Sequence, residues 1–372
     1  MPPKKAKKKQ NMEVETTDKD IVSVDEVTPE VIAPAPSSTK KVGEESLTSA
    51  DYYFDSYSHF GIHEEMLKDE VRTKSYQNAI EQNKHLFKGK VVLDVGCGTG
   101  ILSMFAARAG AAKVYAIECS SIAEQARAIV EDNGFSEVIE VIQQKMEDVV
   151  LPVQYVDIII SEWMGYFLLY ESMLDTVIYA RDKYLRPNTG IMLPDKAVLF
   201  MAGIEDAAYK AEKIDFWDNV YGFKMRKIKD IAITEPLVDM VESRAVLSNA
   251  VPILSLDVLT CKKEDLTFKS PFSLKVARND FCHAFVAYFE CAFTQIHKPV
   301  IFSTSPHAKY THWKQTVFYL EDPLTVCPNE TIEGEISCGP NVKNTRDLDI
   351  EIKYAMDGQH TTVDCQQNYR LR

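Results

Sequence analysis

The sequence predicts a two-part fold: a doubly wound α/β domain, then a mostly antiparallel β domain interrupted by a helical insertion. Three observations carry this. Apolar strands alternate with helical stretches between residues 91 and 184, the pattern of parallel βαβ units. After Leu193-Pro194-Asp195 helical periodicity becomes scarce, and strand-like runs recur between turn residues, as in a sandwich or barrel. The 372 residues are also enough for two domains.

Residues 1–45 have no aromatics, mix Lys, Glu, Thr and Pro, and contain Pro34-Ala35-Pro36-Ser37-Ser38. They read as a disordered tail. The opening lysine run, ending at Lys9, lacks the apolar core of a secretory signal. It is either a nuclear-import or polyanion-binding patch or a solvated tail. From Asp51 aromatics gather at Tyr52, Tyr53, Phe54 and Tyr57, and Met66, Leu67, Val71 and Tyr76 follow at helical spacing. Strands are expected over 91–95, 113–118, 138–142 and 156–161, with helices over 101–109, 121–131 and 171–184. Ser120 or Ser121 is the expected cap of the second of these helices. Arg186-Pro187-Asn188-Thr189-Gly190 stops the last. Seven further strands are expected near 197–202, 254–260, 272–276, 284–293, 315–319, 331–337 and 348–354. The insertion over about 204–241 carries Tyr209, Phe216, Trp217, Tyr221 and Phe223. An apolar arm of that kind serves either an interface or core packing.

Composition is that of a soluble globular chain, with 45% apolar and 26% charged residues. No apolar run approaches the roughly 18 residues of a membrane span, so no membrane partner is expected. Net charge is −13, and the first fifty residues are nearly balanced, so the excess acid lies in the folded body. That disfavours direct nucleic-acid binding, which rests on Lys and Arg at phosphates. Acidity either steers basic partners or only keeps the chain soluble. Eight cysteines without CxxC spacing suggest a reducing compartment and no metal site.

Two glutamates bracket Ser161-Glu162-Trp163-Met164-Gly165-Tyr166-Phe167-Leu168-Leu169-Tyr170-Glu171. Glu162 ends the apolar run Val156-Asp157-Ile158-Ile159-Ile160, and so projects into the crevice at the strand ends of an α/β sheet. Two carboxylates that close among aromatics are costly unless a cation sits between them. A guanidinium is the natural guest, because it is planar, always charged and matched to carboxylates by paired hydrogen bonds.

The first strand ends in Asp94-Val95-Gly96-Cys97-Gly98-Thr99-Gly100. These glycines permit a tight turn and close approach to a ligand. Ile101 breaks the dinucleotide spacing, and no Gly-Lys-Ser/Thr marks a phosphate loop. Glu118 ends the next strand, where an acid can bridge two ribose hydroxyls. Glu147 can accept from an adenine amino group, Arg72 can clamp a carboxylate, and His63 can close over the ligand. The set fits S-adenosylmethionine, with NAD as the alternative.

Together these residues resemble the protein arginine N-methyltransferases. The resemblance covers nearly all of residues 51–372. It rests on Tyr53-Phe54-x-x-Tyr57, on Val92-Leu93-Asp94-Val95-Gly96-x-Gly98-Thr99-Gly100, on the double-glutamate hairpin, and on Tyr310-Thr311-His312-Trp313-Lys314-Gln315. It implies a Rossmann-like methyltransferase domain over 46–193 with an N-terminal lid helix. It further implies a β-barrel substrate domain over 194–372, a dimerisation arm within it and a cis-proline at Pro194. Glu162 and Glu171 match the catalytic pair. His63, Arg72, Asp94, Gly96, Gly98, Glu118 and Glu147 match cofactor contacts. Tyr53 and Tyr57 match the helix that folds over cofactor and substrate, and His312 and Trp313 the loop framing the arginine, His312 with a catalytic role. Met66 and Met173 match methionines of the asymmetric, type I class. Implied partners are histone tails and Gly/Arg-rich RNA-binding proteins, with a homodimer or higher oligomer in nucleus and cytoplasm. Cys97 departs from the family's usual Ser. Two other readings compete. A catalytically silent scaffold is disfavoured by the intact acids and glycines, and a small-molecule methyltransferase by the β half with its Thr311-His312-Trp313 segment.

Overall fold

A computed structural model describes residues 57–372; the tail and Tyr53 lie outside the described residues. The helical spacing through Met66 and Tyr76 resolves into two helices, α1 (Phe60–Lys68) and α2 (Glu70–Glu81). Asp69 divides them, because its extended backbone ends α1 while its carboxylate accepts from Arg72 N at 3.0 Å and caps α2. A short α3 (Lys84–Phe87) leads into the sheet.

The first sheet has β1 (Val91–Val95), β2 (Lys113–Glu118), β3 (Ile139–Gln143), β4 (Ile158–Ile160) and β5 (Ile191–Leu193) in the order β3-β2-β1-β4-β5, all parallel. Helices α4 (Ile101–Arg108), α5 (Ile122–Asp132) and α6 (Met173–Tyr184) connect it. Strand order reverses between β1 and β4, so the crevice for a ligand opens at their C-terminal ends. Ile158, Ile159 and Ile160 are almost fully buried, which explains their unbroken apolar run. Ser121 does stand at the N-cap of α5, but its side chain makes no capping bond. Helix α6 begins at Met173 rather than Glu171, since Glu171 and Ser172 have φ of 75° and 57°.

The chain leaves the parallel sheet through a cis Leu193–Pro194 bond. It then forms two antiparallel sheets of barrel-like arrangement. One contains β6 (Lys196–Ile204), β7 (Leu237–Asp239), β8 (Val251–Asp257), β10 (Asp280–Phe293), β11 (Val300–Ser303) and β12 (Gln315–Val326). The other runs β15-β14-β13-β9, from β9 (Phe268–Lys275), β13 (Thr331–Pro340), β14 (Leu348–Asp357) and β15 (Thr362–Leu371). Strand β14 buries alternate residues, Leu348, Ile350, Ile352, Tyr354 and Met356, as a half-buried strand must. Strand β10 is buried on both faces over Cys282–Ala287. Strands β5, β7, β11 and β15 were not among those expected from the sequence.

The insertion folds as α7 (Ala207–Lys213), a 3-10 turn over Asp215–Asp218 and α8 (Arg226–Ala232). Ile214 joins the core, whereas Tyr221 is 96% and Phe223 71% exposed. Arg181 of α6 ties the parallel and antiparallel parts together, donating to Val258 O at 2.8 Å and Cys261 O at 2.7 Å.

Candidate active site

A cavity of about 250 Å³ opens at the β1/β4 crevice. Gly96, Gly98 and Glu118 line one side, Glu147 and Met173 another, and His63, Met66 and Arg72 descend onto it from the preceding helices. Glu162, Glu171, Tyr57 and His312 complete it. Asp94 and Trp313 do not reach the cavity surface; both are buried behind it.

The glycine turn has a conformational cause. Gly96 and Gly98 have φ of +75° and +53°, a region costly for side-chain-bearing residues. A Cβ on Gly96 would stand 2.6 Å from Met173 Cε, and one on Gly98 3.3 Å from the His63 ring. Glu118 holds the loop from the next strand, accepting from Gly98 N at 3.0 Å and Ser120 N at 2.8 Å. Beneath it, Asp94 accepts from Ser103 Oγ at 2.6 Å through Oδ2, while Oδ1 has no protein partner. Burial pushes the Asp94 carboxyl up to about 7. Glu147 accepts from Thr176 Oγ1 at 2.8 Å.

Glu162 and Arg72 form a buried ion pair, Arg72 Nε donating to Glu162 Oε2 at 2.8 Å, with both side chains under 10% exposed. Arg72 Nη1 turns back to Met66 O at 3.3 Å. The second carboxylate oxygen of Glu162, Oε1, is buried without a partner among the described residues. A buried unmatched anion oxygen is expensive, and a guanidinium entering the cavity would satisfy it.

Glu171 ends a hairpin in which Phe167, Leu168, Glu171 and Ser172 all have positive φ. Tyr57 Oη donates to Glu171 Oε2 at 2.9 Å, and Tyr57 O accepts from His63 Nε2 at 2.8 Å. Tyr57 thus bridges Glu171 and His63.

Asp69 is the residue that sequence reasoning missed. Besides capping α2, it accepts from His312 N at 2.9 Å and from His312 Nδ1 at 2.8 Å. Burial opposes its ionisation, but the His312 side chain and the backbone N–H groups of Arg72 and His312 prevail and hold its carboxyl below the usual range. With Asp69 ionised, His312 Nδ1 is the donor of their bond, and the ring is held in one orientation. Trp313 braces rather than lines the site. Its Nε1 donates to Met164 O at 2.7 Å, and its ring stacks on Phe302.

Two family profiles match the chain, one described as a methyltransferase domain over residues 92–188 and one as an arginine methyltransferase oligomerization subdomain over 195–359. Protein arginine N-methyltransferase 1 of Chlamydomonas reinhardtii is 60% identical over 338 residues, 91% of this chain and 98% of the relative. The protein of the same name from Schizosaccharomyces pombe is 59% identical over 322 residues, 87% of this chain and 94% of the relative. Among solved structures, a chain of the Trypanosoma brucei PRMT1 enzyme-prozyme heterotetrameric complex with AdoHcy superposes with a TM-score of 0.83 at 50% identity, covering 86% of this chain and all of that one. Arabidopsis thaliana protein arginine methyltransferase 10 gives 0.78 at 31% identity, with the same coverage.

Proposed function

Since the chain belongs to the protein arginine N-methyltransferase family, we propose that it grips the guanidinium of a protein arginine between Glu162 and Glu171. It is an S-adenosylmethionine-dependent enzyme of the type I class, making mono- and asymmetric dimethylarginine. The observation that carries the site assignment is Glu162, with one carboxylate oxygen paired to Arg72 and the other buried and unmatched.

The residues fit the cofactor: left-handed glycines leave room against the loop, and Asp94 Oδ1 lies unmatched beneath it. In this reading Gly96 and Gly98 cradle the cofactor, Glu118 binds the ribose hydroxyls and Glu147 the adenine amino group. Arg72 meets the carboxylate with its remaining Nη2, and His63 covers the ligand. When bound, S-adenosylmethionine supplies a methyl group activated on a sulfonium.

A guanidinium is protonated at working pH, so its nitrogens are poor nucleophiles. Glu162 and Glu171 draw positive charge toward the nitrogens they touch and leave the third facing the donor. The proton lost on methylation is taken by Glu162 or in the region of His312, whose ring Asp69 orients. Orientation can supply up to roughly 7–11 kcal/mol in favourable systems, and fixed carboxylates add electrostatic stabilisation. Met66 and Met173 line the cavity, and in this reading they stand beside the target nitrogens.

The chain assembles into an oligomer through its second domain, and a homodimer built on the exposed arm residues Tyr221 and Phe223 is the proposed unit. Residues 46–193 and 194–372 are the proposed domains, divided at the cis-proline. An acidic body suits Arg-rich, Gly-flanked substrates such as histone tails and RNA-binding proteins, and the lysine-rich tail suits nuclear as well as cytoplasmic residence. Incubation with labelled S-adenosylmethionine and a Gly/Arg-rich peptide should give asymmetric dimethylarginine by mass spectrometry. Only symmetric product would refute the class, and no label would point to a scaffold.

A further inference from the structure

Glu171 and Ser172 occupy left-handed backbone that persists only where surrounding structure over-determines it. Besides Tyr57 and the hairpin itself, the antiparallel half holds them. Arg346, in the β13–β14 loop, donates from Nη1 to Glu171 O at 2.6 Å and accepts from Glu171 N at 3.0 Å through its own carbonyl. Ser172 Oγ donates to Thr345 O at 2.6 Å. The loop is itself stiffened. Asn341 Oδ1 accepts from Lys343 N and Asn344 N, Asn344 Oδ1 accepts from Arg346 N, and Asn344 Nδ2 donates to Asp347.

We propose that Arg346 is a positioning residue that sets the angle at which Glu171 meets the substrate guanidinium. Both backbone groups of Glu171 are fixed by one residue 175 positions away, so the antiparallel half sets the backbone from which the carboxylate projects, while Tyr57 holds its Oε2. This inference rests on reading Glu171 as a substrate carboxylate.

The test uses the full chain, with Arg346→Ala and Arg346→Lys each made alone and Arg346→Ala also in the Glu171→Gln background. Single-turnover methylation, peptide KM and AdoHcy affinity are measured for each. Arg346→Ala should slow methylation about tenfold to a hundredfold, the scale of a displacement near 1 Å, with AdoHcy affinity held within about twofold. Arg346→Lys should recover most of the rate, because an ammonium can still donate to the Glu171 carbonyl. In the Glu171→Gln background Arg346→Ala should cost less than about threefold, since effects through a shared group do not multiply. The inference is overturned if Arg346→Ala methylates at the wild-type rate, if it loses AdoHcy affinity in step with rate, or if the two losses multiply. A normal rate for Glu171→Gln alone would instead remove the reading of Glu171 and this inference with it, whereas a dead Glu171→Gln beside a normal Arg346→Ala sinks only the inference.

Discussion

Glu162→Gln isolates charge from shape at the centre of the site. The side chain is 7% exposed, and Arg72 Nε lies 2.8 Å from Oε2. An amide oxygen can still accept from Arg72, so the fold keeps that bond. The other end changes from an acceptor to an NH2 group, which meets the substrate guanidinium as donor against donor. For unit charges about 4 Å apart at an effective dielectric near 20, the lost attraction is about 4 kcal/mol. At 1.36 kcal/mol per decade this is about a thousandfold in rate. Arg72, no longer neutralised, would also face the incoming cation, so nothing offsets the loss. The assay is single-turnover methylation of an arginine peptide, with AdoHcy binding measured by calorimetry as a check that the cofactor half survives. A kcat/KM within about tenfold of wild type, with AdoHcy binding retained, would show that Glu162 is not the cation's anchor.

Two further outcomes are expected. Asp94, raised to about 7 by burial, holds a proton in the native state after the unfolded chain has lost its own. Its stabilising contribution is therefore complete below about pH 4 and declines as pH rises toward 7, by roughly 4 kcal/mol for a full three-unit shift. Urea unfolding at pH 5 and pH 8 should show this slope in the wild type and not in Asp94→Asn, and equal slopes would contradict it. Gly96→Ala, with φ at +75° and a Cβ pressed on Met173 Cε, pays about 1–2 kcal/mol of backbone strain and displaces a methionine of the cavity wall. AdoHcy affinity should fall about tenfold or more while the circular dichroism spectrum stays native, and unaltered affinity would clear the loop of that role.

The parallel sheet was legible because each of its inner strands is a run of buried aliphatics with no polar face, and Glu118 and Glu162 were found because they end such runs. The glycine turn was legible from spacing alone, and the geometry supplies the reason in its positive φ values. Strand β15 escaped notice because Thr362–Leu371 exposes one face and carries Gln366, Gln367 and Asn368, a polar pattern easily taken for loop. Strand β11 has only four residues. Asp69 was hidden for a different reason. An acid between two helical stretches reads as surface or cap, and only the fold brings His312, 243 residues later, to its carboxylate. Glu171 was located correctly but assigned to a helix, because left-handed backbone leaves no mark on a residue that is not glycine.

The double duty of Asp69 bears on how such proteins can be recombined. One buried carboxylate caps the start of a helix of the front half and clasps an imidazole of the rear half, so each segment leans on the other. A chimera that grafts a foreign rear half onto this front should lose turnover unless the acid, the imidazole and the bracing indole travel as one cassette. Under the proposed function the seam between the halves belongs to the active machinery, and inheritance by modules has to respect it.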